Sequence, residues 1–596
     1  MDAAADPGCG RSRPRSFGND AGGDVAEKAT GVTAGAAGRA PVADRPDMIR
    51  NVALVGHSGA GKTTLVETLL AATRTVQRAG RVEDGNTVSD FDEVEMRQQR
   101  SVNLTVAPMV HNGIKINLLD TPGYADFVGD LRAGLRAADA ALFAVSASEG
   151  VDGLTRMLWE ECAAVGMPRA VVITKLDHQR ADFEEVLAVC QDAFGEGVAP
   201  LYLPVVTNGR LNGLIGLLTQ KFYNYATGTR TENAPGPSYQ GQIEGYRDPL
   251  IEGIIQESED ESLMDRYLAG EEIGTETLVA DLEKAVARGG FHPVLATGGG
   301  VGALEVLELI TQGFPSPLEH PLPEITSIDG RPVPGVSCDP DGPLVAEVVK
   351  TTSDPYVGRI SLVRVFSGTL RPDMTVHVSG HGLAERGHED HDVDERIGAL
   401  SSPLGKVQRT AAKCVAGDIV AVAKLSRAET GDTLSDRERP LLMTAWTMPD
   451  PLLPVAIQAR SKADDDKLGQ ALQRLVAEDP TLRLENNPET RQLVLWCMGE
   501  AHADVLLDRL SRRHGVEVEK IELRVPLRET FGGSCRALGR NVKQTGGHGQ
   551  FAVCHLEVEP LPSGGGFEFV DKVVGGVVPR QFIPSVEKGV RTQMQR

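Results

Sequence analysis

The sequence predicts a multidomain α/β protein. Three observations carry that expectation. Between residues 49 and 310, short apolar strands alternate with helix-periodic segments, as a parallel sheet with crossover helices requires. From about Val336 the apolar period falls to two, with turn residues between the runs. From Pro454 the order becomes strand, helix, two strands, helix, strand, which is a split β-α-β layout. A chain of 596 residues has room for roughly three to five such units.

The elements follow in order. Residues 1–48 are rich in Ala, Gly, Asp, Arg and Pro without apolar periodicity, which predicts a disordered extension. A first α/β domain is expected over residues 49–320. Asn51–Val55 reads as a strand, and Lys62–Ala72 carries Leu65, Val66, Leu69 and Leu70 at helical spacing. A hairpin comes next, with arms Leu104–Val110 and Ile114–Leu119 around Asn112-Gly113, a strong type I′ signal. Ala140–Val145 and Ala170–Ile173 are further strands, with the helix Leu154–Val165 between them. Residues 195–285 read as an insert of mixed helical and loop sequence. Pro293–Ala296 resumes the sheet, a helix lies around Leu304–Ile310, and Pro315-Ser316-Pro317 closes the domain. A β-barrel is expected over 321–448, with strands at Val345–Lys350, Arg359–Phe366, Thr375–Val378 and Ile419–Lys424. A ferredoxin-like domain is expected over 449–527, with helices near Asp465–Val476 and His502–Arg512. Residues 528–596 read as part of a fourth α/β domain.

Composition excludes some function classes. The 61 basic residues against 83 acidic ones give a net charge of −22, which argues against a protein that coats nucleic acid. A local basic patch stays compatible with a ribonucleoprotein partner, because net charge is a sum and not a map. With 4% aromatic residues there is no base-stacking platform. The eight cysteines are scattered and form no C-x-x-C pair, as reduced cytosolic thiols would be. No apolar run reaches the ~18 residues that span a bilayer, and no secretory signal is present, so a cytoplasmic protein without a membrane partner is expected.

Three motifs carry chemistry. Gly56-His57-Ser58-Gly59-Ala60-Gly61-Lys62-Thr63, followed by Thr64, matches G-x-x-x-x-G-K-[ST] between a strand and a helix. Its glycines let backbone N–H groups approach phosphate oxygens, and the helix N-terminus adds partial positive charge. Lys62 is expected on the β- and γ-phosphates, and the Thr63 hydroxyl on Mg²⁺. The plain alternative is a Gly-rich turn with a chance lysine. Asp120-Thr121-Pro122-Gly123 ends the strand before it; Asp120 can hold Mg²⁺ through water, and the Gly123 amide can sense a γ-phosphate. An ordinary strand-end turn would also suit those residues. Thr174-Lys175-Leu176-Asp177 ends another strand, where a carboxylate can accept from guanine N1–H and its 2-amino group. Adenine lacks both donors, so GTP and GDP are the expected ligands, with Lys175 along the base and ribose. The plain alternative there is an exposed Lys–Asp loop.

Together these elements resemble the translational GTPases, and among them elongation factor G. The resemblance also runs through Thr352–Gly358, Ala416-Gly417-Asp418-Ile419, Lys462-Ala463-Asp464, Glu478-Asp479-Pro480, Met498-Gly499-Glu500-Ala501-His502, Gln544–Gln550 and Val574–Pro579. It implies five domains, of which the fourth is cut short here and the fifth absent. It implies GTP hydrolysis on the ribosome coupled to conformational change, in translocation or recycling, by a monomer. Departures from the family pattern separate binding from hydrolysis. Tyr124 stands where the family has a water-positioning histidine, so Tyr124 joins Lys62 and Gly123 as the expected catalytic set. Asn103 replaces a Mg²⁺-binding threonine and would join Thr63 and Asp120 as a metal ligand. Thr174 replaces the asparagine of the base-reading motif, Gly59 an acidic loop residue, and Ala296-Thr297-Gly298 the Ser-Ala pair at guanine O6. The pattern resembles the divergent second type of bacterial elongation factor G. Two further readings are a GTP-gated ribosome-binding factor with little hydrolysis and a ribosomal protection protein of the tetracycline-resistance type.

Two constellations are set aside. Cys497, His502 and Asp504 offer a thiol, a base and an orienter, but packing and capping explain them more simply. His377, His381, His388 and His391 lie among acids, where zinc is conceivable, but their irregular spacing suits a solvated loop.

Overall fold

The structure, a computed structural model, describes residues 39–595 apart from 179, 196, 208, 355–357, 387 and 528. Most of the expected N-terminal extension, Cys9 and the centre of the Thr352–Gly358 motif therefore lie outside the described residues. The end of that extension is ordered, against expectation. Pro46–Met48 forms a 3-10 turn, and Ala43 is buried with Ile49 and Val415.

Apolar runs set the central sheet. Its strands are β1 (Ile49–Val55), β2 (Thr105–His111), β3 (Ile114–Asp120), β4 (Ala140–Ser146), β5 (Arg169–Thr174), β6 (Val198–Pro200) and β11 (His292–Ala296). Their order is β2-β3-β1-β4-β5-β11-β6, and only β2 runs antiparallel. Strands β1, β4 and β5 are buried almost throughout, as continuous apolar runs in a parallel sheet must be. Helix α1 (Lys62–Ala72) buries Leu65, Val66, Leu69 and Leu70 against it, and ends where the Thr73 hydroxyl donates back to the Leu69 carbonyl at 2.9 Å. Helices α2 (Glu93–Gln98), α3 (Val128–Ala137), α4 (Gly153–Ala164) and α5 (Phe183–Phe194) complete the crossovers.

The insert differs from expectation. It contains a four-stranded antiparallel meander of β7 (Tyr202–Thr207), β8 (Arg210–Gly216), β9 (Lys221–Asn224) and β10 (Thr231–Asn233) before its helices Gln240–Gln256, Ser262–Leu268 and Thr275–Ala287. Leu203, Val205, Leu211, Leu214 and Ile215 of these strands are buried. The runs are short and Pro204 interrupts the first, so the two-residue period is hard to see in sequence.

An eight-stranded antiparallel sheet follows, in the order His391–Arg396, Thr375–Gly380, Thr433–Asp436, Val345–Asp354, Gly358–Ser367, Ile419–Ala423, Leu400–Leu404, Val407–Ala411. Residues from both ends of that order, Val376 and Val393 with Leu400 and Ala411, share one core, so the sheet is rolled around it. Ion pairs bind it to the first domain. Lys115 meets Asp418 at 2.8 Å, Arg364 meets Asp139 at 2.7 Å, and Arg136 meets the fully buried Glu347 at 2.8 Å. Asp418 also accepts from Asn117, so the Ala416–Ile419 motif serves this junction. In the next module the strands Arg483–Asn486, Leu493–Cys497, Leu453–Ala459 and Val518–Lys520 form an antiparallel sheet covered by the helices Lys462–Glu478 and Glu500–Arg512. Residues 524–596 form a separate unit, a hairpin of Cys535–Thr545 with His548–Val558 and a helix Ile583–Met594. Among the described residues the seven cysteines are unpaired, and no helix is long and apolar enough to cross a membrane.

The four barrel histidines do not form a solvated loop. Each meets a carboxylate: His377 with Asp394 and Asp392, His381 with Asp392, His388 with Glu429 and His391 with Asp432. Among the described residues no three His, Cys, Asp or Glu converge to hold a metal, so the zinc reading finds no site. The hydrogen bond to Asp432 pushes His391 up from 6.5 to about 9. A folded-state value raised in this way stabilises the fold fully below about pH 6.5 and loses that contribution as pH rises through about 9. In His391→Gln the fall of melting temperature between about pH 7 and 10 is expected to shrink, as calorimetry would show. An unchanged profile would contradict this account.

Candidate nucleotide site

The three motifs meet at the carboxyl ends of parallel strands, where open α/β sheets place ligands. Gly56 leaves β1 at φ +147°, and a Cβ there would stand 2.3 Å from the Ala144 carbonyl oxygen, so only glycine fits. The loop then bends back through Gly59 and Gly61 into α1. Lys62 is buried, and its ammonium donates to the carbonyls of Gly56 at 2.7 Å and His57 at 3.0 Å. Burial pulls its pKa down to about 8, partly offset by Asp120. Gly123 packs directly on this group. A Cβ at Gly123 would lie 2.4 Å from the Lys62 nitrogen and 2.5 Å from the Gly56 oxygen. Thr121 fixes the turn by donating to the Leu54 carbonyl at 2.6 Å, and Pro122 beside it is buried.

Oxygens converge beside Lys62. Thr63 donates to the Asp120 carboxylate at 3.0 Å and meets the Ser101 hydroxyl at 3.1 Å. Asp90, which sequence reasoning missed, lies beside the Ser101 and Thr63 hydroxyls. Burial raises Asp90 above the usual carboxylate range, with the Asp120 charge second, and burial also raises Asp120 against the pull of Lys62. One oxygen on each of these carboxylates is buried without a hydrogen-bond partner. Two acids held so close, with unpartnered oxygens, suit a hard cation. The only sequence signal for Asp90 is its place in the segment between motifs, 30 residues before Asp120, so a tertiary contact had to reveal it.

Asn103 is not brought to this cluster. Its amide oxygen accepts from Arg509 at 2.6 Å and Lys350 at 3.2 Å, while its nitrogen donates to Glu95 at 3.0 Å. The sequence expectation of a metal ligand at Asn103 thus finds a different arrangement, because two cations from later domains claim its oxygen. Tyr124 is 41% exposed, and the Arg100 guanidinium lies 4.8 Å over its ring. It caps the 3-10 turn Ala125–Phe127.

The base-reading motif divides. Thr174 turns inward, donating to the Ala60 carbonyl at 2.6 Å, so it braces the phosphate loop. Leu176 is buried in the core, Lys175 has φ +57° and meets Glu149 at 3.6 Å, and Asp177 is exposed. Ala296-Thr297-Gly298 lies beside Asp177: a Cβ on Gly298 would stand 3.3 Å from the Asp177 carboxylate oxygen. The Thr297 amide already donates to Ile173 at 2.8 Å and the Gly298 amide to Val301 at 3.3 Å, so neither is free to meet a base as the sequence suggested. His57 turns its ring to the Ser58 carbonyl at 2.8 Å, with Glu149 at 3.4 Å. Ser58, Gly59 and Thr64 face outward.

Both segments flanking the site rest on the helix Glu500–Arg512. Val94, Val102 and Phe127 share a small apolar cluster with Val505. Asp126 accepts from the Ala501 and His502 amides at 2.9 and 3.3 Å, capping that helix. Arg97 meets Asp508 at 2.8 Å, and Arg513 meets Asp92 at 2.9 Å. His502 pairs with Asp479 at 2.9 Å, Asp504 with Lys520, and burial pushes Cys497 up to about 12, which leaves no nucleophile there. Arg509→Met removes the nearer of the two cations that hold Asn103. Limited proteolysis within residues 82–105 is then expected to quicken several-fold, because local opening sets that rate. Equal rates in wild type and variant would count against this anchoring.

The chain matches the family description "Elongation factor Tu GTP binding domain" over residues 47–316 and "Elongation factor Tu domain 2" over 358–435. "Elongation Factor G, domain III" matches 448–521 and "Elongation factor G, domain IV" matches 523–596. An elongation factor G-like protein of Mycobacterium tuberculosis, strain CDC 1551 / Oshkosh, is 64% identical over 568 residues, covering 94% of this chain and 79% of the relative. That of strain ATCC 25618 / H37Rv is equally similar. A crystal structure from Thermus thermophilus overlays with a TM-score of 0.76 at 35% identity, over 92% of this chain and 78% of that one.

Proposed function

Since the chain belongs to the elongation factor G-like family of translational GTPases, we propose that it binds GTP and GDP with Mg²⁺ and hydrolyses GTP on the ribosome, in the cytoplasm. The observation that carries this is the packing of Lys62, Thr63, Asp120 and Gly123 into one buried corner whose flanking segments rest on the helix Glu500–Arg512.

The loop from Gly56 to Thr63 presents its backbone N–H groups and the α1 N-terminus to phosphate oxygens. Lys62, now satisfied by the loop's own carbonyls, would exchange them for phosphate oxygens. The unpartnered Asp120 oxygen and the Thr63 hydroxyl fit Mg²⁺, which when bound neutralises phosphate charge. Asp177 selects guanine by accepting from its N1–H and 2-amino groups. The Gly123 amide faces the terminal phosphate, and Tyr124 holds the attacking water by hydrogen bonding.

The coupling follows from the contacts. Movement of residues 82–105 or 124–127 must move Val505, Ala501 or Arg509, because these side chains and amides share hydrogen bonds and one apolar cluster. The nucleotide state would thereby reach the later domains. The exposed Tyr124 favours one second reading, a GTP-gated ribosome-binding factor with little turnover. Co-sedimentation with 70S ribosomes is expected with GTP or a non-hydrolysable analogue and not with GDP. Nucleotide-independent sedimentation would overturn the gating in either reading.

A further inference from the structure

We propose that Ser101, rather than Asn103, is the group by which the segment of residues 82–105 reaches the divalent cation beside Thr63 and Asp120. This rests on the nucleotide reading above.

Hard cations gather oxygen ligands within a small space. Four side chains gather here. The Thr63 hydroxyl lies 3.0 Å from Asp120 and 3.1 Å from the Ser101 hydroxyl. Asp90 lies beside both hydroxyls. Asp90 is 4% exposed and Asp120 1%, and each turns one carboxylate oxygen to no partner at all. Leaving two such oxygens desolvated is costly without a cation. The Ser101 hydroxyl hydrogen can point to Asp90, which leaves the lone pairs of its oxygen toward the cluster.

Asn103 is committed elsewhere. Its oxygen accepts from Arg509 and Lys350, and Glu95 takes hydrogen bonds from the amides of Val102 and Asn103 at 3.0 and 2.9 Å. Turning that oxygen to the cation would strip a hydrogen bond from Arg509, which is held among Asp92, Glu478 and Asp130. Val102, between the two residues, is buried against Phe127 and Val505, which pins the segment in its present rotation. Thus Ser101 supplies the oxygen and Asn103 fastens the segment to the later domains.

The test is dissociation of a fluorescent GTP analogue from the full chain as free Mg²⁺ is varied. In Ser101→Ala the Mg²⁺ concentration that half-slows dissociation is expected to rise about tenfold, with dissociation in EDTA unchanged. In Asn103→Ala that midpoint is expected to stay within about twofold of wild type. Ser101→Cys places a soft sulfur at the site, so Cd²⁺ is expected to slow dissociation at lower concentration than in wild type. A shifted midpoint in Asn103→Ala with none in Ser101→Ala overturns the assignment, and so does a Ser101→Cys variant with no gain from Cd²⁺. Wild-type protein that holds the analogue at no Mg²⁺ concentration overturns the nucleotide reading itself, and this assignment with it.

Discussion

Lys62→Ala is expected to weaken GTP and GDP binding by at least ~100-fold. The Lys62 ammonium already hydrogen-bonds two oxygens of the loop, at 2.7 and 3.0 Å, and a bound triphosphate would offer charged ones instead. Hydrogen bonds to charged groups contribute about 1.5–3 kcal/mol each, so two lost contacts cost about 3–6 kcal/mol. At about 1.4 kcal/mol per factor of ten, that is ~10²–10⁴ in affinity. The variant should still fold, because burial already works against the charge of this lysine, as its pKa near 8 shows. Titration of a fluorescent GDP analogue, with a melting curve as control, measures the effect. A loss under about threefold would mean that the loop is not the phosphate site.

Tyr124→His is expected to raise the rate of GTP hydrolysis ~10²-fold while nucleotide affinity stays within about twofold. A positioned acid–base group contributes typically ~10²–10⁴. Tyrosine, with a pKa near ~10, accepts a proton poorly at neutral pH, whereas histidine near ~6.5 does so readily. The side chain is exposed at the edge of the site, so the exchange alters its ring contacts with Arg100 and Phe127 and removes no buried side chain. Single-turnover hydrolysis with ribosomes, compared with analogue affinity, separates the two effects. An unchanged rate would show that Tyr124 does not limit hydrolysis.

The strand–loop–helix of β1 and α1 was legible because every part of its signal is local. The glycine spacing, the lysine and the leucines at helical spacing all lie within 24 residues, from Ile49 to Ala72. The split β-α-β order was equally plain, since both of its helices are long and amphipathic. The meander at β7–β10 was not, because its strands are short and one carries Pro204. The site shows the same division. Lys62, Thr63, Asp120 and Gly123 could be named from motifs and do converge. Thr174 could be named, but its inward turn toward Ala60 depends on a loop 114 residues away. The position of Asn103 depends on Arg509, 406 residues later, and on Lys350, so no local pattern could place it. Asp90 and Ser101 gained meaning only when the chain brought them to Thr63.

The most direct measurement is release of inorganic phosphate from GTP by this chain, with and without 70S ribosomes, beside Lys62→Ala. Slow release by the chain alone, a clear stimulation by ribosomes, and loss of that stimulation in the variant are expected. Release that is equal with and without ribosomes, or that survives Lys62→Ala, would contradict that expectation.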